Sequence, residues 1–89
     1  MSTEECERYS RLVFPLRSKM SVSQKIEMYG LWCVAQHGKC TRKQPSRAKI
    51  LEYGKWAAWK KYEPVGQKRA RELFVEKAKA FLVQYPSKL

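Results

Sequence analysis

The chain has 89 residues, 44% of them hydrophobic, which suffices for one modest core and excludes a second domain or a deep catalytic chamber. Lys and Arg number 19 against 8 acids, and the resulting charge of +11 favours phosphates, nucleic acid or anionic lipid heads as partners. All the acids are Glu and there is one His, so the usual buried partner of a catalytic His and a common Mg²⁺ ligand are missing, which argues against an enzyme.

Ser2 followed by Glu5 reads as a capping box, and Cys6, Tyr9, Val13 and Leu16 recur at helical spacing, which predicts a first helix over about 3–14. Pro15 disfavours helical geometry at Phe14 and removes a backbone donor, so this helix is expected to end or kink there. Ser21 and Gln24 form a second capping box. Val22, Ile26, Tyr29 and Cys33 then follow one stripe with Trp32 beside it, predicting a helix over 22–37 that stops at Gly38. Residues 39–49 hold Pro45 and five bases (Lys39, Arg42, Lys43, Arg47, Lys49) without an apolar period, and read as a basic loop.

Helical character returns from Ile50 through Trp56 and Trp59 to Tyr62, where Glu63-Pro64-Val65-Gly66 breaks the chain. The last stretch, 67–84, carries Ala70, Leu73, Phe74, Ala78 and Phe81 at helical intervals, and Pro86 closes it before a tail over 85–89. With no hairpin signal and no repeat, the expected fold is all-α, four helices in a single domain over residues 1–89. No apolar run approaches the roughly 20 residues of a membrane span, and no signal or transit peptide is evident, so a soluble intracellular protein is expected. Cys6, Cys33 and Cys40 are an odd, unevenly spaced set, expected to be free thiols.

The residues that bear on function are aromatic and basic together. Tyr29-Gly30-Leu31-Trp32, Gly38, Pro45, Lys55-Trp56-Ala57-Ala58-Trp59 and a final helix with Ala70 and Phe74 resemble the acyl-CoA-binding protein family without a gap over about 80 residues. Lys-Trp-x-x-Trp at a fixed distance after Tyr-x-x-aromatic is considerably more specific than a basic amphipathic helix. The resemblance implies an up-down-down-up bundle. Its open groove would take a long acyl chain, while aromatic and lysine side chains hold the adenine and phosphates of CoA. It implies binding without catalysis, with fatty acyl-CoA as ligand, no cofactor and no metal.

Carried over residue by residue, the resemblance places Tyr29 on the nucleotide and Lys55 on a phosphate, with Gly30, Leu31, Trp32 and Cys33 in the same segment. Trp32 keeps an aromatic where the family usually has Tyr, and Phe74 keeps a ring without the hydroxyl. Phe14 and Cys33 stand where the family commonly has phosphate-binding lysines, and each loss would cost about 1.5–3 kcal/mol. Lys19, Lys39, Arg42 and Lys43 are the candidate replacement cations. An acyl chain offsets such losses, since each buried methylene contributes about 0.8 kcal/mol and a dozen give roughly 10 kcal/mol before ordering costs.

Taken singly, these residues have plainer readings. Aromatics at helical spacing are usually core, and an isolated Lys55 would be a solvated surface lysine. His37 lies in Cys-x3-His-x2-Cys, a spacing that matches no usual zinc module and lacks a fourth ligand; beside Gly38 it reads as a helix-end residue facing the negative end of the dipole. The terminal Ser87-Lys88-Leu89 reads as a peroxisomal address at a true C-terminus. The function expected is that of an acyl-CoA carrier and pool former, monomeric and meeting acyl-CoA-using enzymes or membranes transiently. The alternative is a basic module docking on nucleic acid or anionic membranes, but the bases are scattered over all helices and no reader motif for nucleic acid is present.

Overall fold

A computed structural model describes residues 3–85, so the Ser2–Glu5 capping box and the Ser87-Lys88-Leu89 signal lie outside the described residues. Four α-helices are present among them: α1 (Thr3–Val13), α2 (Val22–His37), α3 (Ile50–Tyr62) and α4 (Gly66–Gln84). The described residues contain no strand.

Glu4 and Glu5 in the first turn of α1 and Arg11 in its last complement the helix dipole. Pro15 does not halt the chain after α1 but tightens it: Phe14–Lys19 continue as a 3₁₀ turn with the proline in its first positions, where a missing N–H costs nothing. Ser21 caps α2 reciprocally, its hydroxyl accepting the Gln24 amide at 3.1 Å while the Gln24 side chain accepts the Ser21 amide at 2.9 Å. Gly38 ends α2 at φ 77°, donating its amide to the Val34 carbonyl. Pro64 sits in a second 3₁₀ turn, Glu63–Val65, from which α4 starts at Gly66.

The helix directions follow from side-chain pairs. Ile26 meets Gly54 and Gly30 meets Ala58, so α2 and α3 run parallel. Arg71 reaches the Ala35 carbonyl and Lys77 reaches Glu27, so α4 is antiparallel to α2. Arg71 also acts on Cys6, and Lys79 lies over the Tyr9 ring, which makes α1 parallel to α4. The result is the up-down-down-up arrangement. Leu31, Val34, Val75, Cys6 and Cys33 are fully buried, with Phe74, Phe81 and Trp59 around them and small Ala70 and Ala78 letting α4 approach. Tyr9 and Leu16 complete the face of the first helical segment by packing half-buried against this core.

Candidate functional site

Parallel packing of α2 and α3 obliges the chain to return the length of a helix between them, and the basic loop makes that return. Side chains of α3 and of Glu63 just after it fasten it. Trp59 Nε1 donates to the Gly38 carbonyl at 2.9 Å, Trp56 Nε1 to the Arg42 carbonyl at 3.1 Å, and the Glu63 carboxylate accepts the Cys40 amide at 2.6 Å. The loop therefore arches over α3 and encloses a cavity of about 660 Å³ lined by Tyr29, Arg42, Lys43, Lys49, Lys55, Trp56 and Trp59, with Glu52 as its acid. Glu52 is offset by Lys49 at 3.9 Å, leaving the lining strongly positive.

A second cavity of about 370 Å³ opens on the other side of Tyr29 and Lys55, and its walls are apolar: Val13, Phe14, Met20, Met28, Trp32 and Phe74, with Arg17 and Lys25 also in the lining. Tyr29 and Lys55 border both spaces. The Lys55 ammonium lies 5.2 Å from the Tyr29 ring centroid, within cation–π range. Arg42 donates to the Tyr29 hydroxyl at 3.3 Å. Burial raises the Tyr29 pKa, and the neighbouring Cys33 adds to this while Arg42 opposes it. Burial likewise pushes the Cys33 thiol up, against the lowering effects of Tyr29, Arg42 and Lys55. A polyanion with an apolar tail would find cations on one side of this pair and hydrocarbon on the other.

The expected site residues separate into groups. Tyr29, Trp32, Lys55, Phe14 and Phe74 line the paired cavities, Phe14 at their rim and Phe74 at the buried base. Of the candidate cations, Arg42 and Lys43 border the basic cavity, whereas Lys19 and Lys39 line neither space. Gly30, Leu31 and Cys33, also expected as ligand contacts, line neither of these two cavities, although Cys33 borders a further opening with Tyr29, Trp32, His37 and Arg42. Gly30 packs on Ala58, and Leu31 and Cys33 are in the core, because five consecutive helical residues point in every direction around the axis. Lys49, Arg17 and Lys25 were missed. Lys25 sits one turn before Tyr29, a spacing that could have found it, while nothing local marks Arg17. His37 stands between two indoles, its ring 6.1 Å from Trp32 and 5.9 Å from Trp59.

Comparison with known proteins gives a consistent result. Residues 3–78 match the family model described as "Acyl CoA binding protein". The chain is 34% identical over 80 residues to a Hypsibius protein named "Putative acyl-CoA-binding protein", covering 89% of this chain and 90% of that one. It is also 34% identical over 61 residues to "Acyl-CoA-binding domain-containing protein 1" of Arabidopsis thaliana, covering 68% of this chain but only 18% of that protein. A second Arabidopsis thaliana protein, "Acyl-CoA-binding domain-containing protein 2", matches at the same identity over 17% of its length, so the chain spans under a fifth of these two relatives. No solved structure matches the chain.

Proposed function

Since this chain belongs to the acyl CoA binding protein family, we propose that it binds long-chain fatty acyl-CoA esters non-covalently and serves as their carrier and pool former, without catalysing a reaction. The observation that carries this reading is that Tyr29 and Lys55 border the basic and the apolar cavity at once. In this assignment the acyl chain runs over Val13, Met28 and Phe74, Lys55 takes a phosphate, and the Tyr29 hydroxyl donates to the nucleotide. Trp32 offers adenine a stacking face. Arg42, Lys43 and Lys49 supply from the loop and the start of α3 the charge that Phe14 and Cys33 do not.

Hydrocarbon burial contributes the larger share of affinity, since roughly 0.8 kcal/mol per methylene exceeds what exposed, salt-screened cations add. The protein works as a monomer that exchanges its ligand with membranes and acyl-CoA-using enzymes, and Ser87-Lys88-Leu89 would direct it to peroxisomes if it forms the true C-terminus. Titration calorimetry with acyl-CoAs of increasing chain length, free CoA and the matching fatty acid tests the reading. One-to-one binding that needs both head and tail is expected, with Lys55→Ala about tenfold weaker. Absence of heat with every acyl-CoA would overturn it.

A further inference from the structure

The basic cavity has one aliphatic hydroxyl in its lining, that of Ser46. Ser46 is exposed, and the turn into α3 fixes its place: its carbonyl accepts the Lys49 amide at 3.0 Å and its Oγ accepts the Ala48 amide at 3.2 Å. In that role the hydroxyl only accepts, so the bond does not commit its own proton. Residues 43–46 carry no helix or turn, and they lie past the bonds from α3 and Glu63, which end on Gly38, Cys40 and Arg42. Thr41, the other hydroxyl of the loop, stands between two of those pinned residues and lines a different opening. Ser46 is thus the hydroxyl that another protein can both reach and lay out as extended chain.

The charges flanking it are of one sign. Arg42 and Lys43 precede Ser46 by four and three residues, Arg47 and Lys49 follow by one and three, and residues 39–51 contain no acid. Such a segment is complementary to an enzyme groove lined with carboxylates. We infer that Ser46 is a phosphorylation site for a serine kinase of that kind, and that its phosphate closes the basic cavity to the ligand head group. In the transfer Oγ bonds to the terminal phosphorus of ATP, the bond from that phosphorus to the departing ADP oxygen breaks, and the hydroxyl proton passes to the kinase's base. Phosphoserine carries a charge of about −1.5 to −2 at neutral pH and three strong acceptor oxygens. Arg42, Lys43, Lys49 and Lys55 line the cavity against Glu52, so the lining falls from +3 to about +1. A phosphate tethered to the lining competes for these cations at high effective concentration, ahead of any ligand arriving from solution.

Closure rests on the assignment of the head group to this cavity, whereas the modification itself does not, and two experiments keep them apart. The full chain is incubated with ATP and a set of serine kinases that select basic substrates, and the products are mapped by tandem mass spectrometry. Phosphate on Ser46 is expected, with no product at that position in Ser46→Ala; an unmodified Ser46 after every kinase would overturn the inference. The full chain is also synthesised with phosphoserine in place of Ser46 or, as a control of equal charge, in place of Ser23, which is exposed and lines neither cavity. In calorimetric titration with a long-chain acyl-CoA, phosphate at Ser46 should weaken binding about tenfold with unchanged helical circular dichroism, the loss shrinking as salt rises, and phosphate at Ser23 should change it less than about twofold. Unchanged affinity with phosphate at Ser46, or equal losses from the two positions, would overturn closure. If the unmodified chain takes up no acyl-CoA, the head-group assignment fails and closure with it, while phosphate mapped to Ser46 stands on its own.

Discussion

α2 and α3 approach closely at Gly30, and its substitution tests both the register and the site built on it. A Cβ at Gly30 would lie 2.7 Å from the Ala58 carbonyl carbon and Cβ and 2.8 Å from the Ala58 oxygen. Two of these atoms are backbone of a packed helix, so Gly30→Ala must push the helices apart. Overpacking of this kind costs typically 1–3 kcal/mol, and rigid neighbours place it at about 3; alanine returns about 1 through helix propensity, leaving about 2 kcal/mol of destabilisation. At Gly54 the nearest atom is the Ile26 Cδ1 tip, 2.8 Å away, which a rotamer change can remove. Gly54→Ala should therefore be neutral or up to about 1 kcal/mol stabilising. At about 4–8 °C per kcal/mol, the two variants should differ in Tm by roughly 10 °C or more in thermal and urea melts followed by circular dichroism. Acyl-CoA affinity should fall in Gly30→Ala as well, because Tyr29 and Lys55 sit on opposite sides of the widened seam. Equal stability of Gly30→Ala and Gly54→Ala would refute the parallel register.

Other outcomes follow from the same contacts. Glu63→Ala leaves the part-buried Cys40 amide without its acceptor and should cost about 1–2 kcal/mol in urea melts, with a matching loss of free-CoA binding as the loop loosens. Arg42→Ala should weaken acyl-CoA binding about tenfold, with the loss shrinking as salt rises, because the guanidinium is exposed. Cys6 and Cys33 have pKa values raised above 9.0 by burial, so the folded chain holds these protons longer than the unfolded chain. Their contribution to stability is therefore complete below pH 9 and declines as pH rises through the folded values; C6A/C33A should lose stability less steeply in urea melts across the alkaline range.

Local signals in the sequence proved legible where neighbours in the chain decide the structure. Ser21 and Gln24 announce the start of α2 because a capping box is made within four residues, and the apolar spacing of α4 reports the face that meets the core. Pro15 was legible only in part: it forbids a continuing α-helix, but whether the chain stops or tightens into a 3₁₀ turn depends on what it packs against. Within the segment 29–33, a motif names consecutive residues while a helix exposes one in three or four, so Gly30, Leu31 and Cys33 turn inward although Tyr29 and Trp32 line the groove. The grip of Trp56 and Trp59 on the loop joins residues 14 and 21 positions apart, a separation no local pattern encodes.

That grip decides how freely the basic wall can change. The three bonds that tie the loop to α3 and Glu63 end on the carbonyls of Gly38 and Arg42 and on the amide of Cys40, groups that every residue except proline supplies in full. The shape of the wall is thus written in α3 and Glu63, and the side chains displayed on it are free to vary. Exchanging Arg42, Lys43 or Lys49 for other residues would retune which head groups are accepted without refolding the domain, so one scaffold could pass from ligand to ligand by edits confined to a single surface segment.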